Sequence, residues 1–198
     1  MSETLIDLIR HGEPQGGRMI RGRAVDHPLS EIGWKQMRDA VGDTGPWDQV
    51  VTSPMARCRP FALEQAGRYR LPLIVDPQLH EIDMGVWEGR RPQEVAVEDP
   101  ESFEAYRVDP VRHRPPGGEA LEALAARVGQ VYDRLVARFP GRHLLVVCHA
   151  GVTRATLGYA LGADPRAWSR LRIDYAGISR IRHGRHGATV EHVNARGL

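Results

Sequence analysis

The chain has 198 residues, of which 41% are hydrophobic, and its 27 Lys and Arg residues nearly balance its 25 Asp and Glu residues. This length allows one domain with its own core, and the near-neutral charge argues against nucleic-acid binding through a broad positive field. No apolar run approaches the length of a membrane span, about 18 residues, and no leader pattern follows Met1, so we expect a cytoplasmic protein without a membrane partner. Cys58 and Cys148 lie too far apart for a metal motif, and we expect both thiols to be free.

The first predicted element is a buried strand over Leu5–Ile9, an apolar run of strand length. Glycine and arginine are frequent in the segment that follows, 12–28, so we expect a loop that can wrap a ligand. Ser30 is a suitable N-cap for an amphipathic helix, and Gly42 would end that helix.

The next part of the chain repeats the order of strand, loop and helix. A second strand is predicted over 49–53, followed by a helix over 55–67 that Pro54 would open. The apolar residues 73–75 predict a short third strand. The segment 88–118 is rich in proline, arginine and acidic residues, which predicts short helices and loops. We expect this segment to form a cap over the active site.

The clearest helical pattern begins at Gly118, and its apolar residues recur at helical spacing until Pro140. A buried strand over His143–Cys148 leads directly into a helix that reaches about Leu161, and residues 178–193 are predicted to form a hairpin. Strands that alternate with helices predict an α/β fold with three layers, α/β/α, and a mainly parallel central sheet. We expect residues 1–198 to form a single domain.

Two histidines follow predicted strands directly. Arg10 and His11 end the first strand, and His149 follows the strand at 143–148. Ligands of open α/β sheets bind at the carboxyl ends of the strands. A histidine beside an arginine suits phosphoryl transfer there, because an imidazole nitrogen can accept the phosphoryl group while the cation neutralises its oxygens. We therefore interpret His11 as the catalytic nucleophile.

Five motifs along the chain occur together in the order of a known family. They are Arg10-His11-Gly12-Glu13, Ser53-Pro54-Met55-Ala56-Arg57, Glu81 with Gly85-Val86-Trp87-Glu88-Gly89, Pro116-Gly117-Gly118-Glu119, and His149-Ala150-Gly151. In these motifs, and over most of its length, the chain resembles the histidine phosphatase superfamily, also called the phosphoglycerate mutase-like fold. The resemblance implies the same three-layer fold and the chemistry of a phosphohistidine.

The resemblance also implies a role for each matching residue. His11 corresponds to the nucleophile that becomes phosphohistidine, and Arg10 and Arg57 correspond to the arginines that hold the phosphoryl oxygens. His149 corresponds to the second histidine of the pocket, which we expect to be protonated. Glu81 corresponds to the proton donor that later activates water. These roles require no metal and no cofactor.

Departures from the family and several loop residues bear on the substrate. Pro14 and Gly17 stand where many relatives carry a hydroxyl residue and a phosphate-binding asparagine, so a backbone amide or Arg18 would have to replace the asparagine contact. The compact length and the loops resemble the bacterial α-ribazole-5′-phosphate phosphatases of cobalamin assembly more than the mutases. Trp87 is either a core residue or a substrate contact. The further candidates for substrate contacts are Arg18, Arg21, Gly22, Arg112 and Arg114.

The resulting prediction is a metal-independent phosphomonoesterase that acts, as a monomer or homodimer, on a small phosphorylated metabolite such as α-ribazole-5′-phosphate. A broad-specificity phosphatase, a phosphoglycerate mutase and a non-catalytic regulatory binder are alternatives. A cysteine-dependent phosphatase is another, because Cys148 and Arg154 satisfy a Cys-x5-Arg pattern between a strand and a helix. The histidine mechanism is preferred because a cysteine nucleophile would leave Arg10, Arg57 and Glu81 without a purpose.

Overall fold

The computed structural model describes residues 3–43 and 45–197. Its strands are β1 (Thr4–Arg10), β2 (Gln49–Thr52), β3 (Leu73–Val75), β4 (His143–Cys148), β5 (Ile178–Gly184) and β6 (Gly187–Ala195). Its α-helices are α1 (Glu31–Val41), α2 (Arg59–Tyr69), α3 (Pro92–Glu98), α4 (Pro100–Val108), α5 (Leu121–Arg138) and α6 (Ala150–Leu161). Short 3-10 helices cover Pro77–Leu79, Gly85–Trp87 and Pro165–Arg170.

The six strands form one sheet in the order β3-β2-β4-β1-β5-β6. The strands from β3 to β1 are parallel, and β5 and β6 add an antiparallel edge. The fold is therefore α/β with a mainly parallel sheet, as predicted. In the register between β1 and β4, Arg10 lies opposite Cys148. His11 and His149, the next residues of the two strands, consequently leave the sheet at the same edge.

Two hydrophobic clusters lie on opposite faces of the sheet. Ile9 and Leu145 pack with residues of α1 and α2, whereas Leu8 and Val146 pack with residues of α5 and α6. Successive side chains of a strand point to opposite faces, so neighbouring residues of one strand serve different cores. This arrangement explains why the central strands read as continuous apolar runs, since both of their faces are covered.

A buried carboxylate ties three strands together at the centre of the sheet. Asp7 in β1 accepts hydrogen bonds from Trp47 Nε1 at 2.9 Å, His143 Nε2 at 2.8 Å and Arg180 Nε at 2.6 Å. Burial alone would raise the pKa of Asp7, but the hydrogen bonds from His143 and Arg180 outweigh it and lower the pKa to about 2. Asp7 is therefore a charged link between β1, β4 and β5.

The predicted order of helices and strands is confirmed, but the start of the helix predicted over 55–67 is wrong. Residues 54–58 form turns, in which Asp26 accepts a hydrogen bond from the backbone N–H of Ala56 at 2.8 Å, and α2 begins at Arg59 with Pro60 in its first turn. The 3-10 helix Pro165–Arg170 lies outside any predicted element.

The segment 88–118 contains α3 and α4, so its predicted short helices are present. That this segment acts as a cap, and that residues 1–198 form a single domain, remain predictions. None of the described helices combines the length and the apolar character needed to cross a membrane. The expectation about a leader at Met1 falls on residues outside the described range.

Candidate active site

His11 lies directly after β1 and is 4% exposed. Its Nδ1 is 2.8 Å from the carbonyl oxygen of Gly12. A carbonyl can only accept, so Nδ1 carries the proton and Nε2 has a free lone pair. Burial lowers the pKa of His11 well below its usual value, and the nearby Arg57 and Arg10 lower it further. The ring is therefore held in one tautomer, and its lowered pKa favours the neutral form that a nucleophile requires.

Arg57 is completely buried, and most of its N–H groups bind the protein. Its Nη2 donates to the Gly22 carbonyl at 2.9 Å, and its Nη1 donates to the Val25 carbonyl at 3.1 Å and to Asp26 Oδ1 at 3.2 Å. Its Nε donates to His149 Nδ1 at 3.2 Å. A guanidinium has five N–H groups. These four bonds leave one N–H group for a phosphoryl oxygen, so the Arg57 guanidinium is largely used in holding the residue in place.

His149 begins the turn into α6, and its ring centroid lies 5.2 Å from that of His11. Its Nδ1 accepts the bond from Arg57, so Nε2 carries the proton and donates to Ser53 Oγ at 2.8 Å. Burial first, and then the charge of Arg57, lower the pKa of His149 well below its usual value. The expectation of a protonated His149 is wrong, because both nitrogens are engaged in the neutral form. Ser53 belongs to the second motif, but sequence reasoning gave it no role.

Arg10, the last residue of β1, donates from Nη1 to the Ile173 carbonyl at 2.7 Å. The ring of Tyr175 stacks on its guanidinium, with the Arg10 Cζ atom 4.1 Å from the ring centroid. The same ring lies 5.8 Å from the ring of His11. Arg10 Nε is buried and has no hydrogen-bond partner among the described residues, so this edge of the Arg10 guanidinium suits an anionic ligand. Sequence reasoning missed Tyr175, because it lies in an irregular segment without a motif.

Glu81 is buried beside the N-terminus of α6. Its Oε2 accepts a hydrogen bond from the backbone N–H of Gly151 at 3.1 Å, and its Oε1 accepts one from the backbone N–H of Ile82 at 3.0 Å. Glu81 and Arg10 line the same cavity. The structure therefore brings together the predicted site residues His11, Arg10, Arg57, His149 and Glu81.

The cavity that contains Arg10 and Glu81 has a volume of about 260 Å³. Arg21 and Arg154 also line it, and most of its other lining residues are apolar or aromatic. The apolar and aromatic lining residues include Ile20, Met84, Tyr106, Leu121, Leu124 and Trp168. Tyr106 comes from α4 in the segment 88–118. The lining of the cavity thus combines an acid and cations with apolar and aromatic side chains.

A second, wider cavity of about 990 Å³ is lined by Arg10 and Tyr175 among other residues. Gly17 and Arg18 line it, and both are exposed. Arg21 instead lines the smaller cavity, and it donates to the Gly17 carbonyl at 2.8 Å. Of the two candidate arginines Arg18 and Arg21, Arg21 is therefore the one that lines the same cavity as Glu81.

The remaining predicted substrate contacts have other surroundings. Trp87 is 1% exposed and packs against Phe103 and Tyr106, with ring centroids 5.6 and 5.5 Å away. It packs against Tyr106 and is not among the residues that line the cavity, so the structure favours its role as a core residue over a contact with substrate. Gly22 offers its carbonyl to Arg57. Arg112 and Arg114 are exposed.

The surroundings of Cys148 argue against the alternative with a cysteine nucleophile. This residue is completely buried, and burial raises the pKa of its thiol to about 12. A thiolate, the form required for attack, is therefore disfavoured. Arg154 of the same pattern donates from Nε to the Leu171 carbonyl at 2.8 Å.

In the part of the chain that the structure describes, no group of three His, Cys, Asp or Glu residues is arranged to hold a metal ion.

Comparisons with known proteins agree with these features. The family model of the histidine phosphatase superfamily (branch 1) matches residues 6–196. A bifunctional protein of Mycobacterium tuberculosis is 34% identical over 180 residues, which are 89% of this chain and 49% of that protein, so the chain spans about half the length of this relative. The adenosylcobalamin/alpha-ribazole phosphatase of Salmonella typhimurium is 30% identical over 197 residues, covering 96% of both chains. The crystal structure of the alpha-ribazole phosphatase from Shigella flexneri superposes with a TM-score of 0.84 at 27% identity, covering 98% of both chains.

Proposed function

Because the chain belongs to the histidine phosphatase superfamily, we propose that it is a metal-independent phosphomonoesterase that works through a phosphohistidine at His11. One observation carries this proposal. The buried ring of His11 has its proton on Nδ1, where Gly12 accepts it, and keeps Nε2 free beside guanidinium groups. A neutral imidazole nitrogen among cations has the properties that attack on a phosphate dianion requires.

In the first step, His11 Nε2 attacks the phosphorus atom and the bond from phosphorus to the leaving oxygen breaks. The carboxylic acid of Glu81 gives its proton to that oxygen, and an alcohol departs. Arg10, through its unpartnered Nε, and Arg57, through its remaining N–H, stabilise the negative charge on the phosphoryl oxygens. His149 holds Arg57 in place through Nδ1, so its proposed contribution is positional.

In the second step, water attacks the phosphorus atom of the phosphohistidine. Glu81, now a carboxylate, takes a proton from that water, and the bond from Nε2 to phosphorus breaks. Inorganic phosphate leaves, and both His11 and Glu81 return to their starting protonation states. Acid–base assistance of this kind contributes about 10²–10⁴-fold to the rate.

For the substrate, we propose a small phosphorylated metabolite whose alcohol carries an apolar ring system, with α-ribazole-5′-phosphate as the candidate. The cavity that Glu81 lines supports this choice, because its lining includes apolar and aromatic groups such as Tyr106, Leu121 and Trp168. The names of the relatives from Salmonella and Shigella point the same way. The carboxylate of 3-phosphoglycerate would gain little from such a wall. We propose that the enzyme acts in the cytoplasm, as a monomer or homodimer.

The test measures phosphate release from α-ribazole-5′-phosphate, 3-phosphoglycerate and 4-nitrophenyl phosphate, in the presence of a metal chelator. Wild type should prefer α-ribazole-5′-phosphate and acquire an acid-labile phosphoryl label. His11→Ala should lose both turnover and label, while Cys148→Ser should keep both. Normal turnover by His11→Ala would refute the mechanism, and equal rates on the three substrates would refute the substrate assignment while leaving a general phosphatase.

A further inference from the structure

Glu88 has an unusual set of partners for a residue that does not line the cavity. Its Oε1 accepts hydrogen bonds from the backbone N–H groups of Arg23 at 2.9 Å and Met84 at 3.0 Å. Its Oε2 accepts from the backbone N–H groups of Ala24 at 2.8 Å and Val25 at 2.7 Å. One carboxylate thus binds three successive amides of the loop 22–26 and one amide of its own segment. The mechanism proposed above gives this residue no role.

The loop that Glu88 binds is also the loop that holds Arg57. The carbonyls of Gly22 and Val25 accept from the Arg57 guanidinium, as does the carboxylate of Asp26. The amide of Val25 points to Glu88 while its carbonyl points to Arg57. The orientation of these carbonyls therefore depends on where the Glu88 carboxylate holds the loop. Most of the hydrogen bonds that fix Arg57 pass through these few residues.

Gly22 is the residue that permits this close approach. A Cβ atom at position 22 would lie 2.1 Å from Glu88 Oε1 and 2.6 Å from the carbonyl oxygen of Ile82. Any side chain at this position would push the loop away from the carboxylate. The glycine predicted as a substrate contact thus has a different use, which is to let the loop approach Glu88 closely.

The same carboxylate reaches the acid side of the site. Its bond to the Met84 amide folds the segment 81–88 back on itself, and Glu81 begins that segment. Glu88 consequently links the loop around Arg57 to the backbone that carries Glu81. Two backbone hydrogen bonds do not involve Glu88: those between Ile20 and residues 89–90, at 2.8 and 2.9 Å. They connect the chain just before the loop 22–26 to the chain just after the segment 81–88. Loss of Glu88 should therefore loosen the loop 22–26 without detaching it.

We propose that Glu88 is a positioning residue that sets the orientation of Arg57 toward the phosphoryl group through the loop 22–26. The inference rests on the proposed function. A glutamine in place of Glu88 has nearly the same shape but brings an NH₂ group where the carboxylate accepts two amide protons. Two donors would then face each other, and the carbonyls behind those amides would turn away from Arg57.

The experiment compares wild type with Glu88→Gln and with a matched control, Glu94→Gln. Glu94 is a glutamate of α3 whose carboxylate also accepts a backbone N–H, that of Arg91 at 2.8 Å, but it has no link to Arg57. For each protein we would measure KM and kcat, the Kd for inorganic phosphate, the melting temperature, and the NMR signal of the Arg57 Nε–H. Gly22→Ala tests the same contact from the side of the loop if Glu88→Gln does not fold.

Glu88→Gln should raise KM and the phosphate Kd by a common factor of about ten to a hundred, whatever the leaving group, and should shift the Arg57 Nε–H signal. Glu94→Gln should match wild type. A lower melting temperature with unchanged KM, phosphate Kd and Nε–H signal would overturn the inference, because Glu88 would then be only structural. If wild type itself neither hydrolyses nor binds phosphate, the proposed function fails, and the Nε–H signal alone still decides whether Glu88 positions Arg57.

Discussion

The proposed acid role of Glu81 can be tested by adding a single methyl group. Gly151, in the first turn of α6, donates its N–H to Glu81, and a Cβ atom there would lie 2.4 Å from Glu81 Oε1 and 3.2 Å from its Cδ. Ordinary contact begins at about 3.4 Å, so Gly151→Ala must displace the carboxyl group by about 1 Å. A displacement of that size costs about 10²-fold in rate, and complete loss of the acid costs up to about 10⁴-fold.

The assay follows release of the leaving group in a single turnover, from α-ribazole-5′-phosphate and from 4-nitrophenyl phosphate. Nitrophenolate leaves without protonation, whereas the alcohol needs the proton of Glu81. Gly151→Ala should therefore slow the first substrate by about 10²-fold and the second much less. Gly67→Ala is the control, because a Cβ atom there meets nothing within 4 Å and alanine strengthens the exposed turn of α2. Equal rates for Gly151→Ala and wild type, or an equal loss on both substrates, would refute Glu81 as the acid.

Three further predictions concern the charges of the fold and site. Asp7→Asn should destabilise the protein by about 2 kcal/mol or more at pH 7, since the folded pKa of Asp7, about 2, lies below the value of 3.8 expected without these contacts. In denaturant unfolding, the difference in stability between wild type and Asp7→Asn should disappear as the pH falls from 3.8 toward 2. Tyr175→Leu removes the ring stacked on Arg10, so the KM for every phosphomonoester should rise about fivefold, whereas an unchanged KM would contradict a role for the stacking. The lowered pKa of His11 predicts that its ring is neutral at pH 6.5, where an ordinary histidine is half protonated, and nitrogen NMR shifts that report substantial protonation at that pH would contradict the effect of burial.

The central strands of the sheet could be predicted from sequence because they are apolar on both faces and lead directly into polar motifs. The run Leu5–Ile9 identified β1, and its last residues placed Arg10 and His11 at the edge where ligands bind. The start of α2 could not be predicted, because it depends on Asp26 binding an amide 30 residues away in the chain. Tyr175 could not be found for a similar reason: its contact with Arg10 exists only once the irregular segment before β5 folds over the end of β1.

The charge state of His149 also could not be predicted from the sequence. Its residue type suggests a cation in a phosphate site, but its charge depends on burial and on the neighbours that the fold supplies. Arg57 donates to one ring nitrogen and Ser53 accepts from the other, so the neutral form is satisfied. The spacing of residues in the sequence does not indicate which of two histidines near an arginine is protonated, because the protonation state follows from three-dimensional contacts.

The arrangement of charges explains how two buried histidines and buried arginines can share one site. The positive charges of Arg57 and Arg10 lower the pKa of His11, which keeps Nε2 unprotonated and nucleophilic. In the proposed phosphohistidine the same cations would face a negatively charged group bonded to that nitrogen, so the repulsion present in the free enzyme becomes attraction. One set of residues, Arg57 and Arg10, thus disfavours protonation of His11 and would stabilise its phosphorylated form. A protonated His149 would place a third positive charge beside Arg57. That charge would weaken the contact between His149 and Arg57 that holds Arg57 in place.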